Sequence, residues 1–240
     1  MKSDLAGRIR TLIRDHALAI VYQPIVSLSD GHVLAYEALS RFPAGTPTPD
    51  VWFVQAAEVG LGLALELEAA RAALTRLDDI PHPCRLSINA SPDTIVSDAF
   101  RALLAAHDMA RVIVEITEHT TVADYERLCA VLRDLQARGV MVAIDDAGAG
   151  FASLRHILYV SPDIIKLDIS LTRGIDRDLR RQTLVSAIRT FASGTNATVV
   201  VEGVETERES RTLARLGIEY GQGYHLGRPA PLDAIPVPAI

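Results

Sequence analysis

The sequence predicts an α/β barrel, and three observations lead to that class. Short β-branched runs alternate with longer helical patterns from about Arg85 to the C-terminus, the rhythm of β-α units around a parallel sheet. The 240 residues are 49% hydrophobic, enough for one sizeable core and a length at which such barrels occur as one domain. Nearly every apolar run ends in an acid, an amide or a lysine, where α/β barrels build their active sites. One domain over residues 1–240 is expected, with no low-complexity linker dividing it.

The elements follow in order. A first helix at Leu5–Asp15 is expected to close the barrel bottom. Ile20–Leu28 and His32–Ser40 read as strands joined by Ser29-Asp30-Gly31, a link too short for a parallel crossover, so they form an antiparallel hairpin. Pro43–Pro49 reads as a loop before a helix at Val51–Glu58. Further strands are expected at Arg85–Asn89, Val112–Thr117, Val140–Asp145, Asp163–Asp168, Thr198–Glu202 and near Ile218–Tyr220. From Val122 to Gln136, Val122, Tyr125, Leu128, Cys129, Leu132 and Leu135 recur at helical spacing, Thr121 with Asp124 approximates a capping box, and Gly139 follows the end. Arg180–Ala192 is expected to turn Leu184, Ala187, Ile188 and Phe191 to one side, and a third helix starts at Thr206 with Glu209 at the capping-box position. Pro229–Pro238 reads as a tail against the body. The class is a TIM-like (β/α)8 barrel with one antiparallel strand.

Composition narrows the function. A net charge of −6 argues against a DNA or RNA polymer as partner, because such binding needs basic surface to release counterions. Apolar runs are only a few residues long, far short of the roughly 20 that cross a bilayer, and the N-terminus lacks the apolar core of a secretory signal. No membrane association and a cytoplasmic location are expected. Cys84 and Cys129 lie beside apolar neighbours without Cys-x-x-Cys spacing and read as buried thiols.

The strand ends carry the chemistry. They deliver Glu37 through Arg41, Asn89, Glu115 with Glu118, Asp145-Asp146, Lys166 with Asp168, Glu202, and Gln222 to one rim. So many acids near one axis call for cations to neutralise them. Carboxylate and amide oxygens without histidine or cysteine suit Mg²⁺ or Mn²⁺, and the adjacent Asp145-Asp146 can offer one oxygen to each of two ions, as in two-metal phosphoryl enzymes. Hydrolysis of a phosphodiester is the reaction class this predicts.

In these motifs the sequence resembles the EAL-domain cyclic di-GMP phosphodiesterases, named for the Glu-Ala-Leu found at Glu37-Ala38-Leu39. The resemblance runs in order through Tyr22-Gln23-Pro24-Ile25-Val26, Tyr36 to Arg41, Leu86-Ser87-Ile88-Asn89, Val114 to Glu118, Ala143 to Asp146, Ile165 to Asp168, Val201 to Thr206 and Tyr220 to Tyr224. It implies an EAL-type barrel that hydrolyses cyclic di-GMP to linear pGpG with two Mg²⁺ or Mn²⁺ ions, a water between them attacking phosphorus in line. By position it implies Glu37, Asn89, Glu115 and Asp145 at a first metal site, and Asp145, Asp146 and Glu202 at a second. Lys166 matches the residue that orients the water, Glu202 the proposed general base, and Glu205 and Gln222 further site residues. Gln23, Leu39 and Arg41 match positions that contact the dinucleotide, and Glu118 the glutamate that anchors the loop after Asp146. A homodimer and a regulatory protein partner are further implications.

One segment departs from the family pattern. Where the family commonly reads Asp-Asp-Phe-Gly-Thr-Gly-Tyr-Ser-Ser-Leu, this chain reads Asp145-Asp146-Ala147-Gly148-Ala149-Gly150-Phe151-Ala152-Ser153-Leu154. In the family that loop is linked to dimer contacts and control of activity, so the change bears on rate and regulation, while metal binding is expected to survive. The competing expectation is a catalytically weak or inactive cyclic di-GMP receptor acting through protein partners. The full set of acids weighs against it.

Overall fold

The short link between the first two strands decides the topology. β1 (Ala19–Ser27) and β2 (Val33–Arg41) pair antiparallel, from Ala19 opposite Arg41 to Val26 opposite Val33. Gly31 makes the turn at φ 79°, a left-handed conformation that glycine adopts without steric cost. β3 (Arg85–Ala90), β4 (Val112–Ile116), β5 (Met141–Ala147), β6 (Ile164–Leu167), β7 (Thr198–Val201) and β8 (Tyr220–Gly221) then follow in parallel, each beside its predecessor. β8 returns to pair antiparallel with β1, closing the eight-stranded barrel that the sequence predicts. The computed structural model describes residues 2–116, 122, 124–147 and 157–235.

Alternation along each strand sorts the core into two parts. Outward residues such as Leu86, Ile88, Val112, Val114, Val142, Ile165 and Val201 pack under helices, which contribute Leu74, Phe100, Leu104, Leu132, Val185 and Leu213. Inward residues form a separate apolar cluster of Ile25, Ala35, Ile113, Ala143, Ile164 and Val200.

Helix Tyr125–Ala137 buries Leu128, Cys129, Leu132 and Leu135 as expected. It starts after Asp124, whose carboxylate accepts from the Arg127 amide, while Thr121 lies outside the described residues. The capping box at Thr206 and Glu209 opens helix Glu207–Arg215. Both cysteines are free and buried, and burial pushes both thiols up. The tail is pinned where Tyr22 and Ala230 exchange two backbone hydrogen bonds and Leu232 is buried.

Two expectations need correction. Helix Lys2–Arg14 does not close the barrel bottom. It leads into the end of β1 that pairs with Arg41 at the C-terminal end of β2, and it packs Ile9 and Leu12 with Trp52, Ala56 and Leu65 of helices Pro49–Glu58 and Gly62–Leu74. The reversed β1 carries it to that side. Helix Leu179–Gly194 buries Val185 and Ala192, with Ile188 partly covered, and leaves Leu184, Ala187 and Phe191 exposed. Its apolar residues lie on two faces, and periodicity alone does not choose between them. Helices Gly62–Leu74 and Asp98–Ala105 add to the expected elements.

A close approach at the C-terminal rim supplies a stability test. A Cβ on Gly223 would lie 2.3 Å from the backbone nitrogen and oxygen of Val204, where the loops after β7 and β8 touch. Gly223→Ala is expected to destabilise the fold by about 1–3 kcal/mol, as overpacking does. Gly194→Ala, where an added Cβ meets nothing within 4 Å, serves as control. Equal denaturant midpoints for the two variants would contradict this close packing.

Candidate active site

Two residues toward the C-terminal rim from the inward apolar cluster, the barrel interior changes character. Glu37, Asn89, Glu115, Asp145, Lys166, Glu202 and Gln222 each stand two positions beyond Ala35, Ser87, Ile113, Ala143, Ile164, Val200 and Tyr220. Gln23, on the reversed strand, stands two positions before Ile25 and pairs with Glu37. With Glu202 and Gln222 just past the ends of β7 and β8, every strand delivers one polar side chain to the same level. Strand period and barrel closure together make this ring.

Its centre is the Lys166 ammonium. Nζ lies 2.7 Å from Glu115 Oε2, 2.7 Å from Glu202 Oε1, 3.1 Å from Asp145 Oδ1 and 3.4 Å from Glu37 Oε2. Amides complete the ring: Asn89 Nδ2 donates to Glu37 Oε1 at 3.0 Å, and Gln222 Nε2 donates to Glu37 Oε2 at 2.7 Å and to Gln23 Oε1 at 3.2 Å. Gln23 Nε2 in turn donates to the Gly227 carbonyl, tying the ring to the C-terminal segment.

The aspartate pair reaches the site through a bulge. Ile144 pairs with Ile165 and Ala147 with Leu167, so Asp145 and Asp146 stand opposite Lys166 alone. In a regular strand their side chains would point to opposite faces. The extra residue, with Asp146 at φ 53°, lets both face the cavity. Carboxylate oxygens of Asp145, Asp146 and Glu202 lie within 4.8 Å of one another.

Electrostatics follow from crowding in a dry interior. Burial pushes the Glu115 carboxyl well above the usual carboxylate range, and neighbouring Glu37 and Asp145 add to this while Lys166 opposes it. Burial pushes Glu202 up to about 8, with Lys166 opposing and Asp145 and Glu37 reinforcing. Burial would lower Lys166, but Asp145, Glu115, Glu202 and Glu37 hold it well above the ordinary lysine value. Among the described residues, Gln222 Oε1 is buried without a hydrogen bond, and Asp145 Oδ1 has only the Lys166 ammonium, 3.1 Å away. Oxygen donors of this kind, with Gln222 Oε1 unsatisfied among the described residues, fit a hard divalent cation and do not distinguish Mg²⁺ from Mn²⁺.

Above the ring opens a cavity of about 450 Å³ lined by Gln23, Glu37, Leu39, Asp145, Asp146, Glu202, Glu205 and Gln222. Asn89, Glu115 and Lys166 do not line it and are bonded to ring residues behind its wall. Arg41 is not among its lining residues. It is exposed at the end of β2, with its guanidinium donating to the Ser40 carbonyl. Glu118 and residues 148–152 lie outside the described residues. Five lining residues, Asp168, Ile169, Gly203, Gly223 and Tyr224, were given no site role by sequence reasoning. Asp168 caps the turn Ile169–Thr172, Ile169 follows it, and Tyr224 offers an exposed ring stacked by Arg228 at 4.4 Å. Tyr224 had a signal, an aromatic immediately after the Gly221-Gln222-Gly223 run.

Comparison with known proteins places this geometry. The family model described as EAL domain matches residues 6–229. An uncharacterized signaling protein of Caulobacter vibrioides is 35% identical over 98% of this chain and 30% of its own length. The probable cyclic di-GMP phosphodiesterase PdeN of Escherichia coli is 30% identical over 94% of this chain and 46% of its own length. This chain therefore spans less than half of these relatives. The solved structure of PaMucR phosphodiesterase in complex with c-di-GMP is 30% identical, covers 96% of this chain and 98% of that one, and superposes with a TM-score of 0.80.

The raised carboxyls set a pH dependence. Between the ordinary glutamate value of 4.5 and about 8, the folded protein holds protons at Glu202 that the unfolded chain releases, and Glu115 acts in the same direction. Stability of the metal-free protein therefore falls as pH rises through that window. Lys166 is protonated in both states there and adds no slope. Thermal unfolding without metal is expected to show Tm declining from about pH 5 to pH 8, with Mn²⁺ raising Tm more at pH 8, because ligands must be deprotonated to bind. A flat Tm across this range would contradict the crowding.

Proposed function

The chain belongs to the EAL domain family, and from that premise we propose that its barrel hydrolyses cyclic di-GMP to linear pGpG with two divalent cations, Mg²⁺ or Mn²⁺. The observation that carries the reading is the ring itself, four carboxylates around one lysine at the floor of an acidic cavity. The name of PdeN and the nucleotide held by PaMucR phosphodiesterase support the choice of substrate.

Glu37, Asn89, Glu115 and Asp145 would hold one ion, and Asp145, Asp146 and Glu202 the other. When bound, the ions supply Lewis-acid polarisation of the phosphodiester and a water made acidic enough to act as nucleophile near neutral pH. The chain's own residues do the rest. Lys166, held by the carboxylates at the floor, orients the attacking water, and Glu202 accepts its proton. The P–O3′ bond breaks as the new P–O bond forms, and the departing 3′-oxygen takes a proton from solvent, leaving a 5′-phosphate and a 3′-hydroxyl. Gln23, Leu39 and Gln222 line the cavity where the dinucleotide would lie. Glu205 lies at its edge, ion-paired to Arg173 at 2.5 Å. Arg41 would have to turn from the Ser40 carbonyl to reach a phosphate.

A second copy of the chain is the partner that best accounts for Leu184, Ala187 and Phe191, which form an exposed apolar strip on helix Leu179–Gly194. No described helix is long and apolar enough to cross a membrane.

Incubation of the purified protein with cyclic di-GMP and Mg²⁺ or Mn²⁺, followed by chromatography, is expected to yield pGpG. Asp145→Ala should lose about a thousandfold or more in turnover, because it removes a residue that would help hold both ions and each ion would contribute several kcal/mol. Binding without pGpG under either metal would instead favour a receptor. Sedimentation at micromolar protein should show a dimer, and Leu184→Glu with Phe191→Glu should shift it to monomer. A wild-type monomer would remove the dimer reading.

A further inference from the structure

The inward apolar level contains one hydroxyl that does not belong there by type. Along the strands that level reads Ile25, Ala35, Ser87, Ile113, Ala143, Ile164 and Val200, with Tyr220 at the edge reaching His32 through its hydroxyl. Ser87 is fully buried, flanked on β3 by Leu86 and Ile88 of the outer core. A buried hydroxyl is costly unless it is hydrogen-bonded. Ser87 Oγ donates to Glu115 Oε1 at 2.5 Å, and both residues are 0% exposed.

We propose that Ser87 is a positioning residue for the cation centre, fixing which oxygen of Glu115 is presented to the site. The inference rests on the reading of the carboxylate ring as a divalent-metal site. Glu115 has two donors among the described residues, Ser87 on Oε1 from below and Lys166 on Oε2 at 2.7 Å at the level of the ring. The terminal torsion of a glutamate is broad and roughly two-fold, so packing alone holds its carboxylate plane weakly. A short hydrogen bond from a hydroxyl to a carboxylate is a strong one. It commits Oε1 to the barrel interior and leaves Oε2 toward the site. Lys166 cannot do this alone, because its ammonium is shared with Glu37, Asp145 and Glu202. Outer partners that orient metal ligands in this way commonly affect metal affinity or activity by about 10–100-fold.

The test measures Mn²⁺ affinity directly, from the electron paramagnetic resonance signal of free Mn²⁺ in titrations at fixed pH, on the full chain. Ser87→Ala is expected to weaken Mn²⁺ binding about 10–100-fold. Turnover at saturating Mn²⁺ is expected to return toward the wild-type value, because affinity is the property affected. Ser87→Thr, which keeps the hydroxyl, is expected to bind Mn²⁺ within about threefold of wild type. A purely structural serine would lower Tm and leave Mn²⁺ affinity unchanged. Folded Ser87→Ala with wild-type affinity overturns the proposal, as does Ser87→Thr binding as weakly as Ser87→Ala. If Ser87→Ala fails to fold, Ser87→Cys, of similar size but a weak donor, is read by the same criterion. Wild-type protein that binds no Mn²⁺ would instead overturn the cation site itself, a failure told apart because it needs no variant.

Discussion

Within the ring, Lys166 is the one cation among the described residues that contacts Glu37, Glu115, Asp145 and Glu202. Moving each charge out of water costs several kcal/mol, and one ammonium cannot offset four acids whose mutual repulsion strengthens as the dielectric falls. Burial pushes the Glu115 and Glu202 carboxyls up, so protonation is one way the imbalance is relieved. A cation resolves it differently, replacing those protons with charge. On the proposed reading, crowding that costs stability without metal would be the source of affinity for metal.

Geometry makes such crowding tolerable. Side chains alternate across a strand with period two, so one inward apolar residue per strand implies an inward residue two positions on, and barrel closure brings these together as rings. The lower ring fills the interior with Ile25, Ala35, Ile113, Ala143, Ile164 and Val200 and keeps water from beneath the acids. The upper ring is exposed on one side only, to the cavity. Reversal of β1 does not break the pattern, since Gln23 faces Glu37 in register and enters the ring from the opposite chain direction.

Much of this was legible before any coordinates. Glu37, Asn89, Glu115, Asp145, Lys166, Glu202 and Gln222 stand at the ends of apolar runs, and the Ser29-Asp30-Gly31 link forces the reversed hairpin. Other features depend on three-dimensional partners. Helix Leu179–Gly194 carries apolar residues on two faces, and only the sheet beneath it selects Val185 over Leu184. The first helix sits where the reversed strand delivers it, and helical periodicity says nothing of that place. Arg41 has the residue type for phosphate, but no pattern in the chain records where its side chain turns. Ser87 reads as an ordinary strand residue until Glu115 is seen above it.

The departure at Ala147 can be judged on the same terms. Bulging β5 at Asp145 and Asp146 restores the alternation one residue later, so Ala147 points outward, buried in the outer core and paired with Leu167. A smaller side chain there changes packing between strand and helix, on the far side of the sheet from the carboxylates. The acids are placed by backbone register and by side-chain hydrogen bonds within the barrel, from Ser87, Asn89, Lys166 and Gln222, and none of these bonds involves residue 147. The carboxylate ring and the side chain at residue 147 are thus separable. Strand geometry sets the ring, and a change at residue 147 alters packing on the outer face without dismantling it.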